Sequence, residues 1–160
     1  TTAEPTRHAD PYALSKMVAE EIVKTATRRY DVSATAIRPA WIQYPGKYDC
    51  LEIQSAPEYG KSHFWAYGDI RDLKRAVRAA VETSTDGFES FHVMAEDNYM
   101  GESTANLIER EFDATPNAIE LADDEVAYSL ERTHELLSWS PSHSWKTAAE
   151  ESIDSPLADV

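Results

Sequence analysis

Tyr12 and Lys16 stand four residues apart in Pro11-Tyr-Ala-Leu-Ser-Lys16, a spacing that places both side chains on one helical face with Cβ atoms about 5 to 6 Å apart. A phenol with a pKa of about 10 is a poor base at neutral pH, and an ammonium fixed beside it favours the phenolate. Such a pair can exchange a proton with a substrate hydroxyl or carbonyl while a cofactor takes or returns hydride. In 160 residues with eight Tyr and six Lys, about 0.3 such pairs arise by chance. Spacing alone therefore describes equally well a Tyr at the edge of the core beside a solvated Lys. The remaining reactive residue types are dispersed. His8, His63, His92, His134 and His143 show no metal-ligand spacing, so the expectation is surface or satisfied core positions and no metal. Cys50 is single, which excludes an internal disulfide and a thiolate cluster and fits a reducing compartment.

The elements that must position the pair are legible from patterning. Asp10 followed by Pro11 reads as an N-cap and first helical residue. The helix runs to about Tyr30, with Leu14, Met17, Val18 and Ile22 as its apolar stripe and Arg28 and Arg29 at its C-terminal end. Val32 to Ile37, ending at Arg38-Pro39, reads as a buried strand, and Ala40 to about Gly60 as an irregular, substrate-contacting or lid region around Pro45-Gly46 and Pro57. His63 to Gly68 suits a short strand. Asp69 then caps a helix from Ile70 to Thr83 whose stripe is Leu73, Ala76, Val77, Ala80 and Val81, with Arg71, Lys74, Arg75 and Arg78 as its solvated face. Asp86-Gly87 is a turn, Phe91 to Ala95 a strand, Ser103 to Phe112 a helix, Ala118 to Leu121 an extended piece and Ser129 to Leu137 a helix capped by Ser129. Trp139-Ser-Pro141 ends that helix, and Ser144 to Ile153 suits a last amphipathic turn or two. There is no internal repeat.

Composition limits the partners. A formal charge of −14 opposes nucleic acid and anionic membranes. The acids are spread along the chain as a solvated skin, and Lys is scarcer than Arg. That balance suits a high-salt cytoplasm, and an acidic mesophilic protein would carry it too. No apolar run of transmembrane length and no charged-then-apolar leader occur.

Four segments, in order, are similar to the extended short-chain dehydrogenase/reductase family, which includes the NAD-dependent epimerases and dehydratases of nucleotide sugars. Pro11-Tyr-Ala-Leu-Ser-Lys-Met-Val-Ala-Glu-Glu resembles the family's Tyr-x-x-Ser-Lys helix. Arg38-Pro39-Ala-Trp-Ile-Gln-Tyr-Pro45-Gly46 resembles its Arg-Pro, then Gly-Pro stretch. Phe64-Trp-Ala-Tyr-Gly-Asp69-Ile-Arg-Asp72-Leu resembles the segment closing the substrate pocket, and Leu136-Leu-Ser-Trp139-Ser-Pro141 the closing Leu-Gly-Trp-x-Pro element.

The resemblance implies an α/β fold: the C-terminal part of a Rossmann-like doubly wound parallel sheet plus a small mixed α/β substrate-binding region. Residues 1–45 would supply the catalytic helix and following strand, and residues 46–160 the substrate-binding region interleaved with remaining core elements. It implies Tyr12 as acid/base, with Lys16 tuning it and holding the nicotinamide ribose of NAD or NADP. Pro39 and Ala40 would lie near the nicotinamide. Trp41, Gln43, Trp65 and Tyr67 are the substrate-side candidates, for which a lid or core role is an equal alternative. Asp69 and Asp72 fit a helix cap and a structural acceptor better than catalysts. The substrate would be a nucleotide sugar, or alternatively a free sugar, uronate or small alcohol. A homodimer through the Tyr12-bearing helix is implied, and a catalytically silent binding or assembly module is the reading from another class.

The pattern also departs from the family. Gly46, Gly60, Gly68, Gly87 and Gly101 are isolated, so the glycine-rich phosphate loop has no counterpart. Neither does the ribose-binding acid, and Thr1, Thr2 and Thr6 lie too close to Tyr12 to match the upstream Ser/Thr. The cofactor-binding half is therefore expected to lie outside these 160 residues.

Overall fold

The computed structural model describes residues 11–113 and 121–151. The chain divides into two compact units, residues 1–36 with 84–90 and residues 37–83 with 91–160. In the first, α1 (Pro11–Tyr30) is followed by Asp31 in the left-handed region at φ 52°, which turns the chain. This turn moves the start of β1 (Ala34–Pro39) two residues past the expected Val32. Gly87, with φ 68°, leads directly into β4 (Phe88–Val93), which therefore begins three residues earlier than expected. β1 pairs with β4, and Ala34 N donates to Gly87 O at 2.8 Å. The inner line of α1 is Ala13, Met17, Glu20, Lys24 and Thr27, and the Lys24 ammonium lies 5.2 Å from the Phe88 ring centroid. Of the expected stripe, Leu14, Val18 and Ile22 are exposed, because no described residue of this unit covers that face.

The second unit holds the main core. β2 (Trp41–Gln43) runs parallel to β3 (Tyr67–Asp69) in the register Trp41↔Tyr67, Ile42↔Gly68, Gln43↔Asp69. Between them the expected irregular region contains two 3-10 helices, Asp49–Ile53 and Pro57–His63. The expected strand at His63 shortens to Tyr67–Asp69, because Phe64 and Trp65 both take the left-handed conformation and reverse the chain first. Tyr48, Cys50, Trp65, Tyr67, Tyr99, Leu107 and Ala148 form one apolar cluster, and Ala76, Phe91, Val93, Leu137 and Trp139 another.

α2 (Ile70–Glu82) starts as expected, with the Asp69 carboxylate accepting from Arg71 N at 2.8 Å. Its buried line is Asp72 and Ala76, flanked by Leu73, Ala79 and Ala80; Val77 and Val81 are exposed and do not belong to it. α3 (Thr104–Phe112) falls in the expected helix, and Ser103 caps it by accepting from Asn106 N. α4 (Glu131–Leu137) begins two residues after Ser129, whose hydroxyl only reaches Glu131 N at 3.4 Å, and Ser138 in the left-handed region ends it. α5 (Trp145–Ala148) is capped by Ser144. The expected piece at Ala118 to Leu121 lies, except for Leu121, outside the described residues, as do Asp10 and His8.

Asp72 is buried and pins the segment after α4 to α2. Its carboxylate accepts from Ser142 N and His143 N, both at 3.0 Å, from Ser142 Oγ at 3.0 Å and from Arg75 at 2.5 Å, with His143 Nδ1 at 2.9 Å. Of the arginines expected on a solvated face, Arg71 is partly buried and joins Asp69 to Glu151, and Arg75 stays exposed while pairing with Asp72 and donating to Ser140 O. Burial pushes the Asp72 pKa up, but the hydrogen bonds from Arg75, His143 and the two backbone N–H groups outweigh it and hold the carboxyl below its usual range. A folded-state value below the unfolded one contributes stability that is complete above the unfolded value and is lost as pH falls through the folded one. Asp72→Asn is therefore expected to cost about 2 kcal/mol near neutrality. Urea midpoints of the variant and the parent should converge below about pH 4.

Candidate functional site

The sequence-selected pair sits in the first turn and a half of α1. Tyr12 is 71% exposed, and the Lys16 ammonium lies 5.1 Å from its ring centroid, over the ring. Ser15 Oγ donates to Tyr12 O at 2.6 Å, so the residue between them turns back onto the helix and leaves the phenol open. A cation over an aromatic face in partial solvent is a weak attraction; it keeps a positive charge over the ring of an exposed phenol.

The other candidates belong to the second unit. Pro39 is exposed at the end of β1, and Ala40 N is engaged by Val93 O at 3.4 Å, leaving the Ala40 side chain half-buried against the cluster of Ala66, Met94, Val126 and Leu130. Of the four substrate-side candidates, only Trp41 keeps appreciable surface, at 36%. Gln43 is buried and structural: its Nε2 donates to Trp41 O at 3.1 Å, and its Oε1 accepts from Cys50 N at 3.1 Å, tying the first 3-10 helix to β2. Trp65 is fully buried, with its indole N–H donating to Pro57 O at 2.8 Å. Tyr67 is fully buried, donates to Asp97 at 2.6 Å and accepts from Trp145 N at 2.9 Å. Burial, with the Asp97 charge beside it, pushes the Tyr67 phenol well above its ordinary value, so it stays protonated. These three side chains are buried and offer a substrate no surface.

Asp69 stands opposite Gln43 in the pairing of β2 with β3. It is buried and accepts from Tyr48 Oη at 2.6 Å and from the Arg71 side chain at 2.8 and 2.9 Å. Burial raises its pKa, and the Arg71 and Tyr48 hydrogen bonds overcome that and lower it. A separate open cleft of about 990 Å³ is lined by Glu96, Asp97, Tyr128, His134, His143 and Lys146 among others, and by none of the sequence-selected residues. Within it Lys146 pairs with Asp97 and Asp124, and His143 turns to Asp72 outside the lining.

Sequence reasoning passed over His63 and Tyr99. His63 is half-buried, its Nε2 has no hydrogen-bond partner among the described residues, and burial lowers its pKa. Tyr99 is fully buried with its hydroxyl likewise unpartnered. Both rings contact Trp41, with centroids 6.1 Å away in edge-to-face arrangements. Neither position stands in a spacing motif, because the two come together through the left-handed reversal at Phe64-Trp65 and not through helical or strand periodicity.

Residues 1–81 match the model of the NAD-binding family described as male sterility protein. The chain matches no curated protein. Among solved structures it is similar to UDP-glucuronic acid 4-epimerase from Bacillus cereus in complex with UDP-glucuronic acid and NAD, with 14% identity, a TM-score of 0.60, and 94% of this chain covering 53% of that one. It is similar also to RMD from Pseudomonas aeruginosa complexed with NADPH, with 20% identity, a TM-score of 0.58, and 93% covering 55%. A third is the Bordetella bronchiseptica enzyme WbmF in complex with NAD+, with 13% identity, a TM-score of 0.58, and 92% covering 52%. The likeness establishes a shared α/β fold, and the chain spans about half the length of these structures. No helix among the described residues is long and apolar enough to cross a membrane.

Gly60 is where the second unit has least room. A Cβ there would come within 2.0 Å of Trp65 Cδ1 and 2.5 Å of the Tyr99 hydroxyl. Gly60→Ala is expected to cost roughly 2 to 3 kcal/mol through displacement of both rings. Chemical denaturation followed by tryptophan fluorescence would register the lost stability together with a red-shifted native spectrum.

Proposed function

Because the chain belongs to the NAD-binding family described as male sterility protein and has the extended short-chain dehydrogenase/reductase fold, we propose that it is the substrate-side half of an NAD(P)-dependent sugar-modifying enzyme of the nucleotide-sugar epimerase/dehydratase type. The observation that carries the proposal is the open Tyr12 phenol with the Lys16 ammonium 5.1 Å from its ring centroid, one helical turn away. Tyr12 takes the proton from a substrate hydroxyl, or returns one to a carbonyl, and Lys16 tunes it and binds the nicotinamide ribose. When bound, the nicotinamide of NAD or NADP accepts or returns hydride.

The residues present fit the nicotinamide end of that cofactor. The exposed Pro39 and half-buried Ala40 offer backbone beside it, whereas the five isolated glycines give no cradle for the pyrophosphate. Trp41 is retained as the substrate contact, with Gln43, Trp65 and Tyr67 as its supports.

The charge of −14 favours a second reading, in which an uncharged free sugar or small alcohol replaces the nucleotide sugar, since a diphosphate would enter against a negative field. Assays of the complete enzyme across both substrate groups separate the two, and absence of any cofactor reduction would favour a silent module. The exposed Leu14, Val18 and Ile22 of α1 support a homodimer through that helix, which gel filtration in high salt tests. A high-salt cytoplasm is the proposed setting.

In the complete enzyme, Tyr12→Phe is expected to lower kcat by about 100- to 10,000-fold with little change in NAD(P) affinity. Unchanged turnover would remove Tyr12 from the mechanism. The 160 residues alone are expected to show no micromolar NAD binding by calorimetry.

A further inference from the structure

His63 ends the second 3-10 helix, and its Nε2 is buried with no hydrogen-bond partner among the described residues. Its ring adjoins those of Trp41 and Tyr99, with centroids 6.1 and 6.0 Å away, and the buried Tyr99 hydroxyl is unpartnered as well. Nδ1 is 3.3 Å from Oγ of the exposed Ser62, so a proton can enter from that side. In either neutral tautomer the imidazole carries one N–H and one bare nitrogen. A second proton turns both nitrogens into donors, and the one on Nε2 has no acceptor. A buried charged donor without a partner costs far more than a neutral one.

No neighbouring charge offsets that cost. On the same helix Lys61 pairs with Glu111 of α3 at 3.2 Å, and Glu58 and Tyr59 complete its ionisable groups. α3, packed against that helix, adds Glu109 and Arg110, the latter held by Glu102 and Glu111. β2 contributes no ionisable group. Burial pushes the Tyr99 phenol up to about 12, so it stays neutral. Burial alone lowers the His63 pKa, and none of these charges adds to or opposes it. His134 and His143 differ, standing 3.8 Å from Glu96 and 2.9 Å from Asp72: a proton there meets a carboxylate.

The backbone beside His63 is held only by its packing. Phe64 and Trp65 follow it in the left-handed region at φ 49° and 55°, a conformation that non-glycine residues keep only where the surroundings enforce it. The enforcing contacts converge on these rings. Ala66 N donates to His63 O at 3.0 Å, Trp65 N to Gly60 O at 3.1 Å, and Tyr99 N to Trp65 O at 3.1 Å.

We propose that His63 is an acid-sensitive latch: while neutral it packs between Trp41 and Tyr99 and holds the Phe64–Trp65 reversal against the start of β2, and protonation expels it and frees Trp41. The proposal goes beyond the sugar-modifying reading and does not depend on it. A folded-state value below the unfolded one leaves stability untouched above about pH 6.5 and removes it as pH falls below that. One proton taken up on opening raises the opening constant by up to about tenfold per pH unit.

The test follows amide hydrogen exchange of the complete protein between pH 7 and 5, corrected for intrinsic exchange. Protection of the Trp65 and Tyr99 amides is expected to fall by up to about tenfold per pH unit below about pH 6.5, while amides of α2 hold theirs. In His63→Gln and His63→Phe, which cannot titrate, the two amides should show no such fall. Flat protection in the parent, the same fall in either variant, or an equal loss at α2 overturns the latch. The parent's own His63 ring resonance needs no variant: its titration midpoint is expected below about 6.5, and a midpoint at or above that value overturns the proposal.

Discussion

Asp69 and Asp72 lose nearly all contact with water three residues apart at the start of α2, and the larger unit is arranged around supplying each with enough donors. A buried carboxylate without them would neutralise or unfold its surroundings. Asp69 draws in Tyr48 and Arg71, and through Arg71 it reaches Glu151; Asp72 draws in Arg75, Ser142 and His143. Both sets reach the C-terminal part of the unit, at Ser142, His143 and Glu151, and the first also reaches Tyr48, so these segments are held at the start of α2. Trp139 joins the second set by donating its indole N–H to Asp72 O at 3.1 Å. The closing Trp-Ser-Pro segment is held by α2 for this reason.

That framework explains why the aromatic residues around β2 and β3 have unequal roles. Parallel pairing of Trp41–Gln43 with Tyr67–Asp69 puts Gln43 opposite the buried Asp69 and Trp41 opposite Tyr67. Gln43 and Tyr67 then face groups that consume their hydrogen-bonding capacity, and Trp65 is committed to Pro57 O. Trp41 remains partly exposed, beside two rings whose polar atoms are unused.

Local rules made much of this protein legible from its sequence. The C-terminal end of α1, the Asp69 cap and start of α2, the helix over Ser103 to Phe112 and the turn at Gly87 each depend on residues within a few positions, and they appear where patterning put them. The Tyr12–Lys16 juxtaposition is of the same kind, since helical geometry alone brings residues four apart together. The α/β class followed from the order of these elements and from the four family-like segments.

Tertiary structure decided what the local rules leave open. Periodicity marked Leu14, Val18, Ile22, Val77 and Val81 as apolar faces but could not say whether anything described here covers them, and nothing does. It assigned Arg71 and Arg75 to solvent; Arg75 is exposed and Arg71 partly buried, and two buried carboxylates pair with them. For Trp65 and Tyr67 the sequence left substrate contact and a lid or core role equally open, and they lie in the core because a left-handed reversal at Phe64 and Trp65 turns the chain inward. His63 and Tyr99 had no signal at all. Their meeting depends on the packing of segments 36 residues apart, and sequence spacing carries no record of such an encounter.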